Sequence, residues 1–343
     1  MKQCNTKTRL DGQCELPVDI EFSTEDISSN GGAILLGQAA ERLSIVEEIA
    51  ALVCDGRDPD QTIYSRGEQV FQRASQIALG HADQNDADWL KDDPILKTAS
   101  GELPESDNLS SQPTLSRFEN AVGLPEVEAM QWRLVLSWIA SLDDERTEVV
   151  LDFDSSAFEG QGNQQRLEFN GFHGSHILHP LLVFDGRTGQ LITVVPRGGA
   201  ASDAAGAAEW MRRIIVLLQT HHRDDCSVLV RADAGFAKPE VYRCLERLDD
   251  AFGQVTYVIG MARNSVLEDM LEPAMAQARG RRCATGRRAQ VFVGFDYQAG
   301  FWEKTRRIVG KAEVTLVGDN PRFVVTNLAE FSARLVYKAG YCP

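Results

Sequence analysis

Two short stretches decide the fold that the sequence predicts: Thr147–Ser156, TEVVLDFDSS, and Cys226–Gly235, CSVLVRADAG. The first alternates apolar residues around two aspartates, and the second is a continuous apolar run of the kind found in buried β-strands. Residues 200–219, between the two stretches, and residues 239–248, after the second, have the composition of helices. Strands that alternate with helices in this way predict an α/β fold.

Aspartates mark the ends of both predicted strands. Asp152 and Asp154 are two residues apart, so they project from the same face of a strand, and Asp233 ends the second strand. In open α/β sheets, ligands bind beyond the carboxyl ends of the strands, where one or two carboxylates can hold magnesium against phosphate oxygens. These side chains therefore indicate a candidate divalent-metal site. The alternative is that each aspartate only caps a turn, and the residues alone leave both possibilities open.

The front part of the chain has a different organisation. Residues 1–25 form a polar, acidic lead-in that we expect to be poorly ordered, and residues 26–146 show helical patterns without strand signals. A polar turn before Pro113 predicts the start of a short helix, on which Thr114 and Arg117 would face a DNA groove as in a helix-turn-helix element. An ordinary surface helix explains the same pattern. The prediction is a lead-in, a helical and DNA-binding region, and an α/β domain over 147–343.

Charge is distributed unevenly along the chain. The formal net charge is −15, but residues 1–150 hold 12 Lys and Arg against 28 Asp and Glu, whereas residues 151–343 hold 23 against 22. Because phosphate binding needs basic side chains, any attraction to a nucleic acid must be local. The segment 278–288, ARGRRCATGRR, is the natural candidate, and a solvated loop is the alternative. Its arginines are Arg279, Arg281, Arg282, Arg287 and Arg288.

Composition excludes several classes of protein. No apolar run approaches the ~18 residues that a membrane span needs, and the polar N-terminus lacks the apolar core of a signal peptide. Seven scattered cysteines without a CxxC pair argue against a disulfide framework or a structural zinc site, and they favour a cytoplasmic location. His173, His176 and His179 would share one face of a helix, but Gly174 and Pro180 argue against a helix there and hence against a metal site.

Longer motifs add a family resemblance to this picture. They are GGAILLGQAAERL (31–43), DGRDPDQTIYS (55–65), SSQPTLSRFEN (110–120), VLDFDSS (150–156), FNGFHGSHILHPLLVFDGRTGQL (169–191), LVRADAGFA (229–237), YVIGMARN (257–264) and GDNPRFVVTNL (318–328). From about Ser28 to the last residue, the chain resembles the DDE-type transposases of bacterial insertion sequences, the family of transposase DDE domain group 1.

The resemblance implies a fold, a reaction and a site. The fold would be an RNase H-like catalytic domain with a β-rich insertion at about 280–328, preceded by an α-helical N-terminal region. The reaction would cleave and join DNA at the element's ends with Mg²⁺ or Mn²⁺. The partners would be double-stranded DNA, including terminal inverted repeats and target DNA, and a second copy in a homodimer on DNA. The catalytic aspartates of the family fall on Asp154 and Asp233, with Asp152 supporting the same acidic face as a metal-site residue.

The DNA contacts that we predict from the residues and the resemblance together belong to both halves of the chain. They are Thr114, Arg117, Arg197, Arg279, Arg281, Arg282, Arg287, Arg288, Arg322 and Tyr341.

The chain departs from the family pattern at three places. Where relatives often carry a His-Gly pair after the first aspartate, this chain reads Phe158-Glu159-Gly160-Gln161. The arginine-proline-glycine turn of the family is here Arg197-Gly198-Gly199. The family's third carboxylate is a glutamate shortly after a tyrosine, and the given sequence stops at Pro343, soon after the matching Tyr341. We therefore expect a C-terminally truncated transposase that is inactive because it carries two of three catalytic carboxylates.

Two other functions remain open at this point. One is a catalytically dead, DNA-binding remnant of a transposase that inhibits a full-length partner. The other is an RNase H-like nuclease with an unrelated cellular role. Whether the chain is an enzyme is therefore uncertain from its sequence.

Overall fold

The computed structural model describes residues 8–10, 18–20, 28–160, 162 and 164–342. The chain forms two compact units, Met1–Arg133 and Leu134–Pro343. Their division lies before the predicted boundary between residues 146 and 147, which stays a prediction. Most of the predicted lead-in lies outside the described residues. Within it, Thr8–Leu10 (β1) and Val18–Ile20 (β2) form an antiparallel pair that the sequence did not indicate.

The described part of the first unit after β2 is helical, as the sequence predicts. Its core joins Ala33, Leu90, Leu96 and Leu109. Pro94 stands at the start of a helix, because Asp93 accepts hydrogen bonds from the next backbone N–H groups. The helices are α1 (Ala33–Leu43), α2 (Ile45–Ala51), α3 (Arg66–Ala78), α4 (Ala87–Leu90), α5 (Pro94–Ala99), α6 (Gln112–Ala121) and α7 (Leu124–Ala140), the last of which continues into the second unit.

The second unit is built on an eight-stranded sheet and a three-stranded sheet. Its strands are β3 (Glu148–Ser155), β4 (Phe158–Glu159), β5 (Glu168–Asn170), β6 (Ser175–Leu178), β7 (Leu181–Asp185), β8 (Leu191–Val195), β9 (Ser227–Ala232), β10 (Val255–Met261), β11 (Ala289–Tyr297), β12 (Arg306–Val314) and β13 (Arg322–Thr326). Its further helices are α8 (Ala207–His221), α9 (Pro239–Phe252), α10 (Ser265–Thr285) and α11 (Ala333–Leu335), followed by a π-helical turn at Val336–Tyr341. No helix in the described part of the chain is both long and apolar enough to cross a bilayer.

The order of the large sheet is β11-β12-β13-β10-β9-β3-β7-β8. Strands β3, β7 and β8 form an antiparallel meander, while β9 and β10 run parallel to β3 and are reached through α8 and α9. In the RNase H-like arrangement, three antiparallel strands are followed along the chain by two parallel ones. The first of these strands lies in the middle of the sheet. The predicted fold class is therefore confirmed.

The strands that we predicted as a β-rich insertion are present, and they extend the large sheet. β13 pairs with β10, and β12 and β11 continue outward in antiparallel order. The long helix α10 precedes them and contacts both β11 and β12. A solvated loop was the alternative for residues 278–288, but α10 continues to Thr285. The helix forms there because Asn264 caps its start and Gly286, with φ near +67°, ends it.

The small sheet, in the order β4-β6-β5, was not predicted. Its strands are two to four residues long. The stretch from His173 to His179 is a turn, a strand and a connection, so the expectation that it is not a helix is confirmed.

A buried ion pair holds the start of β3 to the end of β7. Asp185 is 0% exposed, and Arg146 donates two hydrogen bonds to its carboxylate, at 2.7 and 2.8 Å. Burial by itself would raise the pKa of Asp185, but the hydrogen bonds from Arg146 and from the backbone of Arg187 outweigh it and hold the pKa at about 2. The carboxylate thus remains charged and paired inside the second unit.

We expect Arg146→Met to lower the free energy of unfolding by about 3–5 kcal/mol, because it leaves a buried carboxylate without its partner. Urea unfolding at pH 7 measures this loss. The stabilisation in the wild type should be present above pH 4 and lost as the pH falls toward 2, since the folded pKa lies below the ordinary value of 3.8. The matched control is Arg187→Met, which removes an exposed ion pair with Glu148 and should cost at most about 1 kcal/mol. Equal losses in the two variants would contradict the prediction.

Candidate active site

Asp154 and Asp233 occupy equivalent positions at the ends of two neighbouring parallel strands. β3 and β9 pair in register up to Phe153 and Ala232, and the next residue on each strand is one of the two aspartates. Asp233 then accepts a hydrogen bond from the backbone N–H of Gly235 at 2.8 Å, which begins a 3₁₀ turn. Both carboxyl groups are exposed at the carboxyl end of the sheet, where α/β sheets bind their ligands.

The two aspartates influence each other electrostatically. The pKa of Asp233 is raised, first by its partial removal from solvent and then by the negative charges of Asp203 and Asp154. Hydrogen bonds from backbone N–H groups act in the opposite direction and are weaker overall. Burial and the two neighbouring negative charges thus outweigh the hydrogen bonds that favour the charged form of Asp233. A divalent cation bound here would favour that charged form, and carboxylate oxygens are its preferred ligands.

Asp203 is a third acidic residue near Asp233, and no sequence pattern indicated it. A Cβ atom on Gly235 would lie 2.0 Å from Oδ2 of Asp203, so only glycine leaves room for this carboxylate beside the turn after Asp233. On its other side, Oδ1 lies 3.4 Å from Nε2 of His179, which is buried. Asp203 sits in an alanine-rich stretch, and only the path of the loop before α8 brings it here.

Asp152 does not belong to the free acidic group that we predicted. Arg231, its direct partner on β9, donates hydrogen bonds to both carboxylate oxygens, at 2.5 and 2.6 Å. The bidentate ion pair neutralises Asp152 and occupies the oxygens that would bind a metal ion. The expected role of Asp152 in the metal site is therefore not supported, and its place is structural.

Asp154 and Asp233 are the residues that could hold a metal ion, on the strength of their adjacent strand ends and their uncompensated charge. Among the described residues, no group of three or more histidine, cysteine, aspartate or glutamate side chains is arranged to hold one. Two protein carboxylates with phosphate oxygens of a substrate are a sufficient ligand set for magnesium.

Arg197 is another correction, because its side chain is buried and turned inward. Its Nε donates to the carbonyl of His179, and Nη2 donates to Oγ of Ser155 at 2.8 Å. Nη1 lies within hydrogen-bond distance of three carbonyl oxygens, those of Ser202, Asp203 and Ala205. Burial lowers the pKa of Arg197, and the charge of Asp203 partly offsets this effect. With its donors used inside the protein, Arg197 fixes the loop around Asp203 beside Asp154 and is not available to DNA phosphates.

Tyr341, also predicted to contact DNA, lies at the base of this site. Its hydroxyl would be 2.6 Å from a Cβ on Gly260, beside the backbone of Asp233. Its ring packs against Tyr337 in the apolar cluster around Val258. Burial raises the pKa of Tyr341, with the charges of Cys342 and Asp233 adding to the rise. The last described turn of the chain thus reaches the second catalytic candidate.

The arginines near residue 280 fall into two groups. Arg279 pairs with Glu272 and Asp319, and Arg288 pairs with the buried Glu313. Arg281 and Arg287 are exposed, Arg282 is half-buried, and Arg322 is exposed at the start of β13. Arg281, Arg287 and Arg322 remain predicted DNA contacts, whereas Arg279 and Arg288 already form ion pairs with carboxylates.

The N-terminal candidates lie on α6 as predicted. Arg117 is exposed, and Thr114 lies within 3.1 Å of Oγ of Ser111 at the start of the helix. Both line a groove of about 590 Å³ that also includes Arg57 and Arg66. A role for these residues in DNA binding stays a prediction.

Comparison with known proteins identifies the family. The model of the family described as Transposase DDE domain group 1 matches residues 12–343, nearly the whole chain. The chain therefore belongs to this family, and the resemblance stated from its motifs is confirmed. A comparison with curated proteins gives no match.

Among solved structures, the chain is similar to a piggyBac transposase, seen by cryo-electron microscopy in a synaptic complex with hairpin DNA. The TM-score is 0.41 and the sequence identity is 12%, over 89% of this chain and 62% of that one. The chain thus spans less than two thirds of the piggyBac chain that it matches.

We expect Arg197→Met to lower the free energy of unfolding by at least about 3 kcal/mol, because several buried carbonyl groups lose a charged donor. Urea unfolding measures this, and Arg197→Lys should recover only part of the loss since one ammonium group cannot replace the fork of donors. Arg166→Met is the control: Arg166 also donates to a carbonyl, that of Pro196, but is exposed. A stable Arg197→Met variant with weakened DNA binding would instead restore the phosphate-contact hypothesis.

Proposed function

We propose that the protein is a transposase that cleaves and joins DNA at the ends of its insertion sequence, with Mg²⁺ or Mn²⁺ held by Asp154 and Asp233. The observation that carries this proposal is the placement of two exposed, mutually repelling carboxylates at adjacent ends of parallel strands in an RNase H-like sheet. Membership in the transposase DDE domain family supports the choice of DNA as substrate.

Each residue of the site has a distinct task in this proposal. Asp154 and Asp233 bind the cation, and the N–H of Gly235 orients the Asp233 carboxylate. Arg197 holds Ser155 and the Asp203 loop in place, so that the end of β3 cannot shift away from β9. A divalent cation bound there would activate the attacking oxygen and stabilise the leaving oxygen at a phosphodiester.

The DNA partners proposed are the terminal inverted repeats and the target DNA, bound by two copies of the chain in the bacterial cytoplasm. The exposed arginines Arg117, Arg281, Arg287 and Arg322 are the candidates for phosphate contacts. Each such contact contributes to affinity through the release of counterions, so binding should weaken steeply with salt. Because the chain as a whole is strongly acidic, the attraction depends on these local sites.

We expect the 343-residue polypeptide to bind Mn²⁺, and Asp154→Asn or Asp233→Asn to weaken this binding at least about tenfold, since each removes one of two charged ligands. Isothermal titration at pH 7 measures the affinity. Asp224→Asn is the matched control, because Asp224 is exposed and precedes β9 at the opposite end of the strand. Unchanged Mn²⁺ affinity in both site variants would refute the proposed metal site.

A second candidate is a DNA-binding remnant that occupies element ends without cutting them. It is favoured by the finding that the described residues offer no metal-binding group of three. For such a remnant we expect no strand transfer by the 343-residue polypeptide on DNA carrying the terminal repeats, although it should still bind that DNA. Gel analysis of the products tests this. Strand transfer that disappears in Asp154→Asn would instead establish the polypeptide as the active enzyme and exclude the remnant.

A further inference from the structure

The small sheet β4-β6-β5 has two unlike faces. Partners that lie directly opposite in an antiparallel ladder share a face: Phe158 pairs with Leu178, and Phe169 pairs with His176. Leu178 and His176 are two residues apart on β6 and therefore also share a face. One face thus carries these four side chains, while Ile177 points to the other.

The face of Ile177 is covered by the protein itself. Ile177 is 0% exposed, and the loop that follows Arg197 packs against it. A Cβ on Gly199 would lie 2.2 Å from the carbonyl oxygen of Ile177, and one on Gly198 would lie 2.5 Å from the carboxylate of Glu168. The two glycines let this loop lie directly against the small sheet. The same loop leads to Asp203, so the small sheet is fixed to the wall of the candidate active site.

The opposite face is aromatic and open to solvent. Phe158 is 51% exposed, Phe169 is 58% exposed, and Phe172, in the turn between β5 and β6, is 94% exposed. Phe169 and His176 form an edge-to-face pair with ring centroids 5.5 Å apart. Large apolar side chains are rarely grouped on a surface without a partner, so a face of this kind marks a binding site.

This face lies close to the catalytic candidates along the chain. Phe158 follows Asp154 by four residues, and a fully extended chain covers at most about 14 Å over that span. Successive bases of a DNA strand are about 3.4 Å apart. A strand that reaches from Asp154 to Phe158 therefore spans no more than about four nucleotides.

We propose that the aromatic face formed by Phe158, Phe169 and His176, together with the exposed Phe172 of the adjoining turn, binds unpaired nucleobases of the DNA strand next to the phosphodiester at Asp154 and Asp233. Aromatic rings stack on bases of any sequence. The face presents rings and one imidazole where a phosphate-binding surface would present lysine or arginine, so bases fit it better than the backbone of a duplex. This inference rests on the proposed function, because it is the metal site that places a DNA strand here.

The test compares two DNA ligands: a blunt duplex, and the same duplex with a four-nucleotide single-stranded overhang that contains 2-aminopurine. The 343-residue wild type should bind the overhang ligand more tightly than the blunt one, with a change in 2-aminopurine fluorescence. The triple variant Phe158→Leu/Phe169→Leu/Phe172→Leu keeps apolar side chains but removes the rings. It should lose at least tenfold in affinity for the overhang ligand and nothing for the blunt ligand.

Two further variants separate stacking from other effects. Tyrosine at the same three positions should restore both affinity and the fluorescence change, because a phenol ring stacks as well as a phenyl ring. Phe301→Leu is the matched control, since Phe301 is 70% exposed and lies outside the small sheet; it should behave as the wild type. Because all of these side chains are exposed, circular dichroism and the melting temperature should not change.

The opposing outcomes are also distinct. Equal affinity of the wild type for both ligands, or an unaffected leucine variant, would overturn the aromatic face as a base-binding site. A leucine variant that sediments as a smaller species than the wild type would show that a second copy covers the face, and would overturn it as well. If the overhang preference stands while Asp154→Asn and Asp233→Asn bind Mn²⁺ normally, the proposed metal chemistry fails and the base-binding face does not.

Discussion

The parallel pairing of β3 with β9 is the constraint on which the candidate site depends. It sets Asp154 and Asp233 at equivalent positions of adjacent strands, at the edge where the backbone turns away and leaves room for a ligand. A shift of register by one residue would send one of the two side chains to the other face of the sheet. The valine-rich, buried strands oppose such a shift, since every residue of the strand that shifted would then exchange its core and surface positions.

Some charged side chains near this strand pair stabilise the fold, and others form the candidate site. Three arginines of the second unit are each committed to internal partners: Arg231 to Asp152, Arg146 to Asp185, and Arg197 to the loop that carries Asp203. Each satisfies carboxylates or carbonyls that would otherwise be costly to bury. The carboxylates at Asp154 and Asp233 receive no such arginine. The charge of Asp154 helps to raise the pKa of Asp233, and a cation bound at these carboxylates would favour their charged form.

Several features of the site were accessible from local patterns, and others were not. The strand ends that carry Asp154 and Asp233 could be predicted because a buried strand followed by aspartate and glycine has a recognisable sequence. Asp152 and Arg197 have equally suggestive positions, yet the partner of Asp152 is 79 residues away along the chain and the partners of Arg197 are between 5 and 42 residues away. The sequence alone therefore predicted a metal-binding role for Asp152 and a DNA contact for Arg197. The small sheet was missed for a different reason: strands of two to four residues are too short to show an alternating pattern.

The sequence by itself determined the α/β class, the helical front half of the chain and the family, because hydrophobic periodicity and motifs are local properties of the chain. It also identified the two aspartates, whose proposed role rests on where their strands end. Only the tertiary structure decided which charged groups are free and which are neutralised. Asp203 lies beside the candidate site, whereas Asp152 and Arg197 are bound to other groups of the protein. Phe158 and Phe169, with Phe172 in the adjoining turn, are exposed to solvent. Packing between distant parts of the chain decides which side chains meet and which stay in solvent.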